Sequence, residues 1–234
     1  MTMNTFPDRL LAGYSQFMSG RYGEESDRYR ELADRGQKPK TLIVACCDSR
    51  AAPETIFNAG PGELFVVRNV ANLVPPYAPD GSFHSTSAAL EFAVQSLRVR
   101  DIVVMGHGRC GGISAALNPG ATPLSPGDFI GQWMSLLDPV KSEMQSGALA
   151  DGQERQTALE RVSVRNSITN LRTFPCVRIL EKRGKLDLHG AWFDISTGEL
   201  WVMDAGSGEF VRPEQKQLDQ SLANTARAEA EEDA

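Results

Sequence analysis

The sequence predicts an α/β fold, with a central, mainly parallel β-sheet flanked by helices and a helical arm at the N-terminus. Short apolar runs typical of buried strands lie at residues 41–46 and 102–105, and another strand is predicted at 63–68. Segments with helical periodicity separate or follow them, chiefly at 84–97 and 153–171. Strands that alternate with helices indicate crossover connections and therefore parallel strand pairing.

Size and composition are those of an ordinary globular protein. The chain has 234 residues, of which 41% are hydrophobic and 23% are charged, enough for one large domain or two small ones. The net charge is −6 and the sequence has no basic cluster, so we expect neither nucleic acid nor an anionic membrane as a partner. Residues 1–17 lack a secretory pattern and the apolar runs are too short to span a bilayer, so we expect a cytoplasmic protein. The four cysteines are too few for a disulfide scaffold and are expected to be reduced.

The segment at residues 8–35 is predicted to form one or two amphipathic helices. Leu10, Leu11, Tyr14 and Phe17 recur at helical spacing. Because this arm precedes the first strand, it must pack outside the sheet or against a partner subunit. We therefore divide the chain into an N-terminal helical arm at 1–36, an α/β domain at 37–212 and a polar, acidic tail at 213–234 that is expected to fray.

Turn-forming residues mark the boundaries of the remaining elements. Pro53 can open a helix at 52–58, and residues 69–83 and 118–127 are loops rich in proline and glycine. The other predicted elements are a helix at 129–144, a helix opened by Pro175, and a hairpin of strands 185–195 and 199–203.

Metal-binding side chains follow two of the predicted strands. Cys46 ends the first strand, and the glycine-rich turn after the strand at 102–105 contains His107 and Cys110. Because the carboxyl ends of parallel strands meet at one edge of a sheet, we expect these residues to lie together. Two thiolates and an imidazole are a ligand set for zinc that leaves a fourth position for water. Cys47 is an alternative to Cys46 as the first ligand.

The same turn also satisfies the pattern G-x-G-x-x-G. It runs from Gly106 to Gly111, after a strand and before a helix, as a dinucleotide-binding fingerprint would. That interpretation is the weaker one, because the fingerprint belongs to the first strand–helix unit and here at least two strands precede it. It also leaves the histidine and the cysteines without a role.

Asp48 and Arg50 directly follow the first predicted ligand. As a surface ion pair they would contribute only about 0.5 kcal/mol to stability. Beside a metal the pair has a chemical use, because a bidentate arginine holds the carboxylate away from the metal and leaves it as a hydrogen-bond acceptor. We therefore expect Asp48 to orient a reacting water, whose pKa a bound metal lowers.

Together these motifs resemble the signature of the β-class carbonic anhydrases. The two halves of that signature are Cys46-x-Asp48-x-Arg50 and Gly106-His107-x-x-Cys110-Gly-Gly112. Residues 61–77 resemble the long active-site segment of the family, and the likeness extends from about residue 37 to residue 203. The resemblance implies that Cys46 rather than Cys47 is the ligand.

The resemblance also implies a role for individual residues. The implied cofactor is one zinc ion per chain, bound by Cys46, His107 and Cys110, with water as the fourth ligand. The implied catalytic residues are Asp48, which accepts a hydrogen bond from that water, and Arg50, which restrains it. The implied substrate-binding residues are Gln37, which hydrogen-bonds substrate oxygen in the plant-like branch, the apolar Phe65 and Val70, and Phe92 at the position of a tyrosine in plant-like enzymes.

The implied reaction is the reversible hydration of carbon dioxide to bicarbonate and a proton. The family further implies a homodimer or a dimer of dimers, in which Gln37 and Phe65 come from a different subunit than the zinc ligands. Two alternatives remain, a carbon disulfide or carbonyl sulfide hydrolase on the same fold and a catalytically silent, zinc-stabilised regulatory module. Intact Asp48, Arg50 and Gln37 argue against the silent module.

Ile43 indicates the non-allosteric, plant-like branch of bacterial type. The allosteric branch has a tryptophan three residues before the first zinc cysteine, and it holds bicarbonate together with an arginine that matches Arg68. Isoleucine occupies the tryptophan position here and has no N–H to donate. We therefore expect no shutdown by bicarbonate.

Overall fold

The structure is a computed structural model that describes residues 6–81, 83–118, 123–145 and 152–232. Its described strands are β1 (Thr41–Cys46), β2 (Leu64–Asn69), β3 (Asp101–His107), β4 (Asp187–Phe193), β5 (Leu200–Met203) and β6 (Phe210–Val211). They form one sheet in the order β2-β1-β3-β4-β5-β6. β1, β2, β3 and β4 run parallel to one another, whereas β5 is antiparallel to β4 and β6 is antiparallel to β5. The predicted α/β fold with a mainly parallel sheet is confirmed.

The described helices precede, separate and follow these strands. They are α1 (Asp8–Ser19), α2 (Arg21–Arg35), α3 (Pro53–Ile56), α4 (Ser85–Glu91), α5 (Gly111–Leu117), α6 (Phe129–Met134), α7 (Asp138–Gln145), α8 (Gln153–Leu171), α9 (Pro175–Lys182) and α10 (Gln215–Glu232). None of them combines the length and the apolar composition that a membrane span needs.

Alternating side chains of β1 contribute to core clusters on opposite faces of the sheet. Leu42 and Val44 pack with residues of β3, α4, α8 and α9 in one cluster, whereas Ile43 and Ala45 pack with Met105 in another. All five side chains are buried, as expected for a central strand of a parallel sheet. Because β1 and β3 run in parallel register, both carboxyl ends lie at the same edge of the sheet.

Two glycines allow α8 to lie close against the sheet. A Cβ atom on Gly106 of β3 would lie 2.9 Å from Val164 Cγ2, and one on Gly190 of β4 would lie 3.1 Å from Val164 Cγ1. Contacts this short would force Val164 to shift, so glycine at both positions permits the close approach. The packing carries the N-terminal half of α8 to the carboxyl end of β3.

The N-terminal arm is helical, as predicted, and several apolar side chains of α1 are exposed in the single chain. Neither α1 nor α2 contains a buried residue. Leu10, Leu11 and Tyr14 are each more than half exposed. The arm therefore presents an apolar surface without a partner from the described residues of its own chain.

Several predicted boundaries are wrong. The helix predicted at 129–144 is interrupted by a 3₁₀ turn at Ser135–Leu137, and α7 begins beside Pro139, whose ring cannot continue a preceding helix. The helix predicted at 84–97 changes into a π-helical segment at Phe92, and the one predicted at 52–58 is only four residues long. The short strand β6 and the helix α10 were not predicted. Residues 215–232 are rich in Ala, Gln, Glu and Leu, which favour a helix even in a polar segment.

Candidate metal centre

Cys46, His107 and Cys110 lie together at the carboxyl edge of the sheet. Cys46 is the last residue of β1, His107 is the last of β3, and Cys110 follows in the turn before α5. Their ligand atoms lie within 4.8 Å of one another, and all three residues are buried. Cys47 lies just past the end of β1 and is exposed. The predicted convergence is confirmed, and Cys46 rather than Cys47 belongs to the cluster.

The separation of the donor atoms fits a zinc ion. Two sulfurs bonded to zinc at about 2.3 Å in a tetrahedron would be about 3.8 Å apart, and the distance between Cys46 Sγ and Cys110 Sγ is 3.9 Å. His107 Nδ1 lies 2.9 Å from the carbonyl oxygen of Gly108 and must donate to it. That bond fixes the neutral tautomer with a lone pair on Nε2. Nε2 is buried and has no hydrogen-bond partner among the described residues, as expected for a ligand atom.

Asp48 lies beside this cluster and is held by Arg50. Arg50 Nε donates to Asp48 Oδ1 over 2.9 Å, and Arg50 Nη2 donates to Asp48 Oδ2 over 2.7 Å. The same Oδ2 lies 3.9 Å from His107 Nε2, so the carboxylate is also close to the cluster. These bonds from Arg50 hold the pKa of Asp48 well below its usual range, so the carboxylate is an acceptor throughout the neutral range.

Known proteins are similar to this chain in sequence and in fold. A family model described as carbonic anhydrase matches residues 41–200. A carbonic anhydrase of Pseudomonas aeruginosa is 37% identical over 86% of this chain and 90% of its own length. Beta carbonic anhydrase 3 of Arabidopsis thaliana is also 37% identical, over 84% of this chain and 77% of its own length. The chain belongs to the β-carbonic anhydrase family.

A solved structure agrees with this assignment. Tetrameric β-carbonic anhydrases of Sordaria macrospora include one that superposes with a TM-score of 0.71 at 29% identity, covering 86% of this chain and 98% of that chain. The family uses zinc, and the cluster of Cys46, His107 and Cys110 has the donor set that this metal requires.

The two thiols of this β-carbonic anhydrase titrate as a pair in the metal-free chain. Their hydrogen bond lowers the pKa of Cys46 and raises that of Cys110. Burial raises the pKa of Cys110 further and opposes the shift of Cys46. A hydrogen bond between the two sulfurs needs a proton on one of them, and a metal bound by both thiolates would displace that proton.

The turn that carries His107 and Cys110 is shaped by close packing. Gly108 N donates to the carbonyl oxygen of Phe193, and a Cβ on Gly108 would lie 3.1 Å from the Trp192 ring. Arg109 is in the left-handed region with φ of 56°. Packing against Val164 and Trp192 therefore accounts for Gly106 and Gly108 of the G-x-G-x-x-G pattern, without a dinucleotide.

Arg68 and Glu160 also anchor the site, a role that their positions in the sequence do not reveal. Arg68 Nε donates to the carbonyl oxygen of Cys46, and Arg68 Nη2 donates to the backbone carbonyl oxygen of Asp48. Glu160 accepts a hydrogen bond from the backbone N–H of Cys110 over 2.9 Å. Burial raises the pKa of Glu160, and its N–H donors oppose that shift. In the sequence, the signal for Glu160 is an acidic residue on the face of α8 that is otherwise apolar or small. Its function becomes visible only from its contact with Cys110 in the folded chain.

Val70 lies at the metal cluster, whereas the other predicted cleft residues do not. A Cβ on Gly112, two residues after Cys110, would lie 2.8 Å from Val70 Cγ1. The carbonyl oxygen of Val70 accepts a bond from Trp133 Nε1 over 2.8 Å, which fixes this segment.

Gln37, Phe65 and Phe92 lie toward the opposite edge of the sheet. Gln37 precedes β1, whose five steps from Thr41 to Cys46 span about 17 Å. Phe65 pairs with Leu42 near the start of β1 and stacks on Phe92, with ring centroids 5.9 Å apart. The single chain therefore does not place these three residues at its own metal cluster.

A surface cavity of about 760 Å³ also lies at the amino edge of the sheet. Arg98, Arg100 and Lys185 line it, and it contains none of the predicted site residues. The chemistry of the side chains, not cavity size, locates the candidate site.

Proposed function

We propose that this β-carbonic anhydrase catalyses the zinc-dependent, reversible hydration of carbon dioxide to bicarbonate and a proton. The observation that carries the proposal is the convergence of two thiols, an imidazole with a free Nε2, and a carboxylate held at their open side by an arginine. A structural zinc site alone would use four protein ligands and would not need the carboxylate–arginine pair, whereas this cluster offers three ligands.

Each side chain has a role that follows from its position. Cys46, His107 and Cys110 would hold the metal. When bound, zinc supplies Lewis-acid chemistry that activates a water for attack on carbon dioxide. Asp48 accepts a hydrogen bond from the reacting water, which fixes its orientation. Arg50 keeps Asp48 from occupying the water's place.

The substrate cleft is completed by a second copy of the chain. Gln37 and Phe65 lie near the amino ends of β1 and β2, and Leu32 at the end of the arm lies against Gly62 there. Because they do not reach the metal cluster of their own chain, a partner subunit would supply them, together with Phe92, to the cleft. The uncovered apolar side chains of α1 support a homodimer, or a dimer of dimers, built through the arm.

A cytoplasmic location stays part of the proposal. All four cysteines are free thiols in the structure, and a reducing compartment would keep Cys46 and Cys110 available for the metal.

The test is the activity of the zinc-loaded protein on carbon dioxide, carbon disulfide and carbonyl sulfide in parallel. Fast hydration of carbon dioxide that is lost with Asp48→Asn supports the proposal. Activity confined to the sulfur substrates would identify the alternative hydrolase. Stoichiometric zinc without activity on any of the three would identify a silent zinc-stabilised module.

A further inference from the structure

Glu160 is a buried carboxylate surrounded by hydrogen-bond donors. It lies on α8 and is 1% exposed. Its Oε1 accepts from Cys110 N over 2.9 Å and from Gln156 Nε2 over 3.0 Å. Its Oε2 accepts from Trp192 Nε1 over 3.1 Å. Fifty residues separate the glutamate from Cys110 in the chain, so only the tertiary fold brings them together.

All three partners are N–H donors, which only an acceptor can satisfy. A carboxylate offers acceptor sites on both oxygens, whereas an amide turns an NH2 group toward one of the donors. With the amide oxygen kept on Cys110 N, that NH2 group would face the indole N–H of Trp192. A buried N–H left without an acceptor is destabilising, so the chemistry of this position favours glutamate over glutamine.

Gln156 also hydrogen-bonds the backbone of Cys110. Its Nε2 donates to the carbonyl oxygen of Cys110 over 3.1 Å, in addition to its bond with Glu160. The N–H and the C=O of one residue are thus both held by side chains four residues apart on the same face of α8. The preceding Arg109 has a left-handed backbone, so the turn is not a relaxed one that would hold Cys110 by itself.

We propose that Glu160 and Gln156 form a backbone clamp that positions the sulfur of Cys110 for the metal. The clamp acts on the peptide groups of the ligand rather than on its side chain. Trp192 locks the second carboxylate oxygen, and α8 is itself fixed by its close packing on Gly106. The proposal rests on the zinc site of the proposed function, but it does not require that the site be active.

The experiment measures metal binding and ligand geometry rather than turnover. Cobalt(II) in place of zinc gives an absorption spectrum that depends on its ligand geometry, and the rate of zinc release to a chelator reports how firmly the site holds the metal. Both are measured on the full-length protein for wild type, Glu160→Gln, Glu160→Ala and Gln156→Ala. Unfolding temperatures of the metal-free forms are recorded alongside.

Two variants of the same helix serve as controls. Ser163→Ala removes another buried polar group of α8, whose hydroxyl donates to the carbonyl of Glu160 and does not touch Cys110. Gln153→Ala removes an exposed glutamine at the start of α8 and matches Gln156→Ala.

We expect Gln156→Ala to fold normally and to release zinc faster, since Gln156 is only partly buried. Glu160→Ala should weaken zinc binding by about 10–100-fold, the range for lost outer partners of metal ligands. Zinc binding by Glu160→Gln should be intermediate between that of Glu160→Ala and that of wild type. Both Glu160 variants should alter the cobalt spectrum. The two controls should keep the wild-type spectrum and release rate.

A wild-type cobalt spectrum and zinc release rate in Glu160→Gln and Gln156→Ala would overturn the proposal, even if the unfolding temperature falls. That outcome would leave Glu160 with a purely structural role. A wild-type protein that binds zinc but does not hydrate carbon dioxide would refute the proposed function and leave the clamp standing, so the two failures are distinguishable.

Discussion

Arg50 pairs with Asp48 through two parallel N–H···O bonds, and the pair matters for chemistry more than for stability. The Arg50 side chain is 55% exposed, and ion pairs of this kind contribute about 0–1 kcal/mol to folding. Asp48 Oδ2 already lies 3.9 Å from the ring nitrogen that would bind the metal. The arginine therefore decides whether the carboxylate stays an acceptor or becomes a ligand itself.

Arg50→Ala should abolish most activity while the protein keeps its zinc. Without its two donors Asp48 can turn toward the metal and take the position of the reacting water. We expect a loss of about 10²–10⁴-fold in carbon dioxide hydration, the size typical of a lost positioned group. Metal analysis and a crystal structure of the variant check this. Full activity, or loss of the zinc, would refute this role of the arginine.

Because Ile43 replaces the tryptophan of the allosteric branch, bicarbonate should not shut down this enzyme. The Ile43 side chain is buried with Met105 and Ala191 and offers no donor to an anion. Arg68, the other group implied for such a site, is bonded to the carbonyl oxygens of Cys46 and Asp48. A ligand without differential binding cannot shift the site to a closed state. Activity should rise smoothly with pH, with and without added bicarbonate; a steep, bicarbonate-dependent transition would show the opposite.

Among the elements, the two hairpins that follow β4 and β5 repeat one turn. In each, an aspartate N–H donates to the carbonyl oxygen of a glutamate five residues later, and a glycine N–H donates to the aspartate carbonyl oxygen. The aspartate side chain accepts from the serine of the turn, Ser196 for Asp194 and Ser207 for Asp204. These bonds lower the pKa of both aspartates.

Asp204→Asn should lower stability at neutral pH and have no effect in acid. The backbone N–H and the hydroxyl of Ser207 hold the folded-state pKa of Asp204 below its unfolded value of about 3.9. The stabilisation is therefore present above that pH and is lost as the pH falls through the folded pKa. Urea unfolding across pH checks this, with Asp219→Asn on α10 as the control. An equal effect of Asp204→Asn at pH 7 and at low pH would contradict it.

The elements that could be predicted are those that a local sequence pattern specifies. The strands β1 and β3 and the helix α8 have clear apolar patterns, and the residues after the two strands pointed to one edge of the sheet. Apolar periodicity does not predict the break near Pro139 or the helix α10, because the first follows from proline chemistry and the second from intrinsic helix preference. Glu160 could not be assigned, because its contact with Cys110 exists only once α8 packs on Gly106.

For the whole molecule, the single chain brings the metal cluster together but not all of the residues proposed for the substrate cleft. The cluster and Val70 lie at the carboxyl edge of the sheet, and Gln37, Phe65 and Phe92 lie toward the amino edge. A two-fold arrangement of two chains can bring the two edges together, since each chain then offers what the other lacks.

Mixed dimers should recover activity that neither parent has. A Gln37→Ala chain keeps the metal ligands, and a Cys46→Ser chain keeps Gln37, so one of the two sites in their mixed dimer would be complete. We expect Gln37→Ala alone to lose about 10²–10³-fold, as for other lost hydrogen bonds to a reacting oxygen. The mixed dimer, purified through two different tags, should reach about half of wild-type activity. Activity no higher than the mean of the two parents would place Gln37 in its own chain's site.

The central claim is that one zinc ion, bound by Cys46, His107 and Cys110, makes this chain a carbon dioxide hydratase. It is tested most directly by titrating the metal-free protein with zinc while the hydration rate is recorded. The rate should rise in proportion to zinc and stop at one equivalent per chain in wild type and in Cys47→Ser, and should stay at the uncatalysed level in Cys46→Ser. Equal losses in the two cysteine variants, or zinc bound at one equivalent with no rise in rate, would contradict the claim.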